Sequence, residues 1–119
     1  MQWVLLVAAL LPFVATIGAK AGGKNFDNTA PRAWLEKQKG WRSRANAAQI
    51  NTFESLPFFF AAVIFSYIRD PMSAMVLYLG VLWVALRLLY IGCYIWDQAS
   101  LRSFVWGAAF GVNVWILFL

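Results

Sequence analysis

The chain has no histidine, a single cysteine and only five acidic residues among 119. The absence of histidine excludes a His-based catalytic triad and a zinc site of the usual histidine type. Cys93 has no partner for an internal disulfide, so cysteine content does not report the redox compartment. It also lies in an apolar run, which argues against a catalytic thiolate. Charge is scarce overall, at 13% of residues against about 25% in soluble domains.

Hydrophobic residues, by contrast, make up 62% of the chain, and the mean hydropathy is +0.65. Soluble domains are typically about 45–50% apolar. A chain of this composition has too few polar groups to cover its apolar surface in water. It is therefore predicted to be an integral membrane protein, with a single domain spanning residues 1–119.

Four apolar stretches are long enough to cross a bilayer. They cover approximately residues 3–19, 45–68, 72–96 and 103–119. As helices they would span roughly 25–37 Å, against about 30 Å of hydrocarbon. The predicted fold is an all-α bundle of four transmembrane helices. The first stretch could instead be a signal peptide, since Ala19 to Ala21 resembles a cleavage site, but Met1 and Gln2 supply no positive charge.

The loop of residues 20–44 contains seven basic and two acidic residues, which accounts for the whole net charge of +5. The positive-inside tendency predicts a cytoplasmic loop and both termini outside. The neighbouring Trp34 and Trp41 favour attraction to anionic lipid headgroups over binding of nucleic acid. Within the loop, a short amphipathic helix is predicted to begin at Pro31, continue to about Lys39 and end at Gly40.

Polar residues interrupt the second stretch on one helical face. Asn51, Glu54 and Phe58 lie at helical spacing, whereas Gln49 projects roughly 160° away from Asn51. A carboxylate at the centre of the hydrocarbon costs about 2.5–3.5 kcal/mol. Proteins that retain one there use it to bind a ligand or to hold helices together.

The third stretch has a matching face made of Arg87, Tyr90 and Tyr94. Arg87 and Glu54 lie at similar depths of roughly 13–15 Å, which predicts that they pair. The same residues could also tie helices together without any ligand. In the fourth stretch Asn113 is expected to make a helix–helix contact. There a G-x-x-x-G motif, residues 107–111, allows another helix to approach closely.

The second stretch resembles the signature segment of the MAPEG superfamily, the membrane-associated proteins of eicosanoid and glutathione metabolism. The resemblance lies in Arg44-Ala-x-Ala-Ala-Gln-x-Asn51-x-x-Glu54-x-x-Pro57-Phe. The segment from Pro31 to Leu35 and the Arg87–Tyr90–Tyr94 triplet are similar to that family too. The likeness extends over the whole chain and is greatest to small bacterial members of uncertain activity.

This resemblance implies a homotrimer in a bacterial inner membrane, with glutathione bound between subunits near the cytoplasmic side. The residues matching glutathione contacts in the family are Gln49, Asn51, Glu54, Arg87, Tyr90 and Tyr94. The nearest match to the arginine that stabilises the thiolate is Arg102, with Ser103 as a hydrogen-bond donor. The implied activity is a transferase or peroxidase reaction on lipophilic electrophiles or hydroperoxides, with no metal required.

Two positions depart from the family pattern. Ala47 stands where the glutathione-binding synthases have an arginine, and Ser55 replaces a tyrosine. The lost guanidinium is worth about 1.5–3 kcal/mol as a charge-assisted hydrogen bond. A second hypothesis is therefore a non-catalytic protein of the same fold.

A third hypothesis is a small four-helix multidrug exporter. Such proteins place their key glutamate on the first helix, and the first helix here has no charge.

Overall fold

The computed structural model describes all residues, 1–119, and consists of five helices without strands. Their bounds are α1 Gln2–Lys20, α2 Pro31–Glu36, α3 Trp41–Arg69, α4 Ala74–Ile95 and α5 Ala99–Phe118. All but α2 are long and apolar enough to cross a membrane. The prediction of an all-α membrane protein with four spanning helices is confirmed.

Two helices begin before the predicted apolar stretches, because hydropathy marks the edge of the hydrocarbon and not the end of the helix. α3 begins at Trp41, one turn before residue 45, and α5 begins at Ala99, one turn before residue 103. The prediction for Gly40 is wrong: α2 already ends at Glu36, and Gly40 precedes α3 with a φ of 66°. A positive φ is readily adopted by glycine and starts the new helix in a new direction.

α3 is the central helix, since it packs against α1, α4 and α5, while α4 packs against α1 and α5 as well. Phe59 on α3 stacks on Trp83 of α4 with ring centroids 3.9 Å apart. Ala8 and Ala15 on α1 are fully buried, and these small side chains allow α1 to lie close to its neighbours. The outward faces of the bundle carry large apolar side chains, as expected for contact with lipid.

Two arginines in the first turn of α3 bind the C-terminal ends of neighbouring helices. Arg42 donates to the Ala19 carbonyl of α1 over 2.8 Å, and Arg44 donates to the Ile95 carbonyl of α4 over 3.0 Å. Carbonyl groups in the last turn of a helix have no intrahelical donor and attract positive charge. The start of α3 is thus joined to the C-terminal ends of α1 and α4.

The loop between α1 and α3 packs around Trp34, whose side chain is buried. The indole N–H donates to the Lys24 carbonyl over 3.1 Å, and the Phe26 ring contacts the indole edge-to-face. Hydrogen bonds from the hydroxyl and then the backbone N–H of Thr29 lower the pKa of the Asp27 carboxyl. The long loop therefore has defined internal contacts.

Gly23 is predicted to be required for this loop packing. A Cβ added there would overlap the Trp34 indole, whereas a Cβ at Gly18 meets nothing within 4 Å. We expect Gly23→Ala to destabilise the protein by about 1–3 kcal/mol through overpacking. Thermal unfolding in detergent measures the effect, with Gly18→Ala as the matched control. Equal melting temperatures for the two variants would contradict the prediction.

Candidate functional site

The polar site of the bundle is organised by Arg87, which is only 1% exposed. One terminal guanidinium nitrogen donates to Asn51 Oδ1 and to Thr52 Oγ1, each over 3.0 Å. The Thr52 hydroxyl in turn donates to the Ala48 carbonyl over 2.7 Å. A buried guanidinium is costly unless hydrogen bonds compensate it. These bonds therefore explain how the bundle accommodates the charge and how α4 is tied to α3.

The predicted Glu54–Arg87 pair is not formed. Arg87 bonds Asn51 and Thr52 instead, which lie three and two residues before Glu54 on α3. Glu54 is exposed on the same side of α3 and lines the same cavity as Arg87. The carboxylate is consequently available to a ligand or to a neighbouring chain.

A cavity of about 240 Å³ lies between α3, α4 and α5. Its polar lining consists of Asn51, Glu54, Ser55, Arg87 and Asn113, and its apolar lining consists of Phe58, Trp83, Trp106, Ala109 and Phe110. Two buried atoms of the lining residues, Arg87 Nε and Asn113 Oδ1, have no hydrogen-bond partner. Buried polar atoms without partners are rare in proteins, and contacts within the bundle do not account for these two.

A series of stacked side chains leads from this cavity to the end of the bundle where α4 ends and α5 begins. The Arg87 guanidinium carbon lies 4.1 Å from the Tyr90 ring centroid, and the Tyr90 and Tyr94 rings meet edge-to-face at 5.8 Å. The Arg102 guanidinium carbon lies 4.3 Å from the Tyr94 ring centroid. Seven helical residues from Arg87 to Tyr94 correspond to about 10 Å. The two arginines thus mark the ends of one continuous polar path.

The structure brings most of the predicted site residues into this path and leaves two outside it. Gln49 lines a separate groove beside α2, together with Arg32 and Asn46, in agreement with its predicted direction away from Asn51. Ser103 is exposed near the N-terminal end of α5, next to Arg102. Neither residue contributes to the lining of the cavity.

Sequence reasoning missed Thr52 and gave Asn113 a different role. Thr52 is one of many hydroxyl residues in helices, and only the approach of α4 makes it a partner of Arg87. Asn113 was expected to contact another helix, yet its Oδ1 is buried without a partner. Ser55, noted only as a departure from the family pattern, lines the cavity and donates to the Thr52 carbonyl.

The guanidinium that the sequence lacks at Ala47 is not supplied by a neighbour. Arg44 lies one turn before Ala47, but its Nε donates to the Ile95 carbonyl at the end of α4. Reaching the cavity would require this hydrogen bond to break. The site therefore contains one buried guanidinium, that of Arg87.

Four membrane-spanning helices around a cavity with a partly polar lining define a polytopic membrane protein. The family model for the MAPEG family matches residues 1–119, the whole chain, and the protein belongs to that family. It is thus a membrane protein of the superfamily of glutathione and eicosanoid metabolism, whose members use glutathione. No curated protein and no solved structure matches the chain.

Proposed function

We propose that this protein binds glutathione and uses its thiol to conjugate lipophilic electrophiles or to reduce lipophilic hydroperoxides. The observation that carries the proposal is the joint placement of an amide, a carboxylate and a buried guanidinium, those of Asn51, Glu54 and Arg87, on one cavity. Glutathione has an ammonium group and two carboxylates, which are the complementary groups. Charge-assisted hydrogen bonds of this kind are the strong ones.

The path from Arg87 to Arg102 suits the length of the ligand. An extended tripeptide spans about 10 Å, close to the rise of α4 between Arg87 and Tyr94. With its polar end in the cavity, glutathione would place its thiol near Arg102. A guanidinium lowers the pKa of a nearby thiol by stabilising the thiolate. Stacking on Tyr94 holds Arg102 at that end, and the neighbouring Ser103 hydroxyl is a hydrogen-bond donor.

Two reactions follow from a stabilised thiolate and a substrate arriving from lipid. In conjugation, the sulfur forms a bond to an electrophilic carbon, whose leaving group departs with the bonding electrons. In hydroperoxide reduction, the thiolate attacks the terminal oxygen and the O–O bond breaks, giving a sulfenic acid and an alcohol. A second glutathione then forms the disulfide and releases water. Neither route needs a metal ion.

A homotrimer with ligand sites between subunits is the proposed assembly. Glu54 is exposed on a membrane-spanning helix, and an uncovered carboxylate facing hydrocarbon is unfavourable. Gly107 and Gly111 on α5 have open space where a Cβ would lie, so a second copy could approach this face closely. The proposed location is a bacterial inner membrane, with loop 20–44 cytoplasmic and both termini outside.

Titration calorimetry of the detergent-purified protein with glutathione tests the proposal. We expect saturable binding in the millimolar range or below, and a loss of about tenfold or more in Glu54→Gln, because the ligand ammonium loses its counter-charge. Asp70→Asn, which makes the same type of change just after the last residue of α3 and outside the cavity, is the matched control. Absence of binding at millimolar glutathione, with the fold and trimer intact, would refute the proposal.

A second candidate, a MAPEG-fold protein without catalysis, is favoured by the hydrogen bond between Arg44 and Ile95. Because this bond occupies Arg44, nothing replaces the guanidinium absent at Ala47. Weak glutathione binding without thiolate formation is the signature of this alternative. Ultraviolet absorption separates the two candidates, since a thiolate band on adding glutathione would rule out the non-catalytic one.

A further inference from the structure

Asn113 is a buried amide on α5 for which the bundle offers no structural explanation. The residue is 3% exposed, and its Oδ1 has no hydrogen-bond partner. An asparagine that tied helices together would bond a group on a neighbouring helix. Asn113 instead lines the cavity that Glu54 and Arg87 also line. An unsatisfied buried acceptor weakens a fold, and its retention beside a cavity is accounted for when a ligand supplies the missing donor.

The charges around this cavity select the type of ligand. Glu54 and Arg87 bring one negative and one positive group, so the lining is neutral overall but charged at two places. A simple anion would meet the carboxylate, and a simple cation would meet the guanidinium. A zwitterionic group satisfies both and enters the membrane without net charge. An α-amino acid end, with its adjacent ammonium and carboxylate, is such a group.

The unpartnered atoms match this group as well. Arg87 Nε is a free donor suited to a carboxylate, whereas Asn113 Oδ1 is a free acceptor suited to an ammonium. We propose that Asn113 is a binding residue whose side-chain oxygen accepts a hydrogen bond from the ligand's α-ammonium group, alongside the Glu54 carboxylate. This inference rests on the proposed glutathione binding, and it assigns the γ-glutamyl end to the deep part of the cavity.

The placement of α5 agrees with that orientation. Asn113 follows Arg102 by eleven residues, or about 16 Å of helix. An extended tripeptide of about 10 Å with its amino-acid end at Asn113 covers only part of this distance, and the long Arg102 side chain, which stacks on Tyr94, has to span the rest. The same residue spacing excludes a thiol at Asn113 that is simultaneously bound by Arg102. Asn113 thus sets which end of the peptide enters first.

The test compares two peptides on two proteins. One peptide is glutathione, and the other is its des-amino analogue, in which hydrogen replaces the α-ammonium group. We expect Asn113→Leu to weaken glutathione binding about tenfold and to leave the weaker binding of the analogue unchanged. Asn113→Asp keeps a side-chain acceptor, and we expect it to retain the glutathione binding that Asn113→Leu loses. Val114→Leu, one residue further on α5 and outside the cavity lining, is the control.

Two results would overturn the inference while leaving glutathione binding in place. Equal losses for both peptides in Asn113→Leu would mean that the residue shapes the cavity and does not recognise the ammonium. A melting temperature of the ligand-free Asn113→Leu protein clearly below that of Val114→Leu would mean that Asn113 stabilises the bundle. We expect the opposite, because the substitution removes an unsatisfied buried acceptor. Failure of the unaltered protein to bind either peptide would refute the proposed function and this inference together.

Discussion

Arg102→Leu is expected to abolish the thiolate of bound glutathione at neutral pH and to lower turnover about 10–100-fold. A charge-assisted hydrogen bond from a guanidinium to a thiolate is worth about 1.5–3 kcal/mol, which corresponds to that factor. Without it, the pKa of the bound thiol returns upward toward its ordinary value, so the thiolate fraction at a given pH falls. The ultraviolet thiolate band, followed as pH is raised, should therefore appear at higher pH in the variant.

The control for this prediction is Arg69→Leu, at the opposite end of the membrane-spanning bundle. Arg69 also lies beside an aromatic ring, that of Phe65, but it is remote from the cavity. Tyr94→Leu removes the ring on which Arg102 stacks, and we expect a smaller shift of the thiolate band in the same direction. An unchanged band in Arg102→Leu, with glutathione still bound, would assign thiol activation to another group.

Arg87→Met is expected to reduce glutathione affinity about 10–100-fold while the helical fold persists. The substitution fills a similar volume but removes the only buried guanidinium of the cavity, whose Nε is free for a ligand carboxylate. The fold should survive because a buried charge, costly in itself, is removed together with its hydrogen bonds. Asn51 is only partly buried, so its oxygen can find another donor.

Calorimetry measures the affinity in this second case, and circular dichroism with thermal unfolding measures the fold. Arg87→Lys is an informative companion, because an ammonium keeps the charge and three donors but lacks the planar fork by which the guanidinium bonds Asn51 and Thr52 and leaves Nε without a partner. We expect it to bind glutathione nearly as poorly as Arg87→Met. Arg42→Met, outside the cavity, is the control. Full affinity in Arg87→Met would exclude Arg87 as a ligand-binding residue.

The MAPEG family resemblance and the membrane class were both accessible from sequence, because each depends on local patterns. Four long apolar stretches with very little charge indicate how many helices cross the bilayer. Helical spacing places Asn51 with Glu54, and Arg87 with Tyr90, since the period of the helix is the same in any context. The structure confirms the number of spanning helices. It also places Asn51, Glu54 and Arg87 on one cavity and stacks the Arg87 guanidinium on Tyr90.

The chain by itself determined the number of spanning helices, their polar faces and the family to which they belong. Only the tertiary structure decided that Arg87 bonds Asn51 and Thr52 and not Glu54. It alone showed that Arg44 binds Ile95 and that the Asn113 oxygen lacks a partner. The physical reason is that a hydrogen bond forms or fails over a few tenths of an ångström. Helix phase specifies a face, but the distance across it is set by how the helices pack.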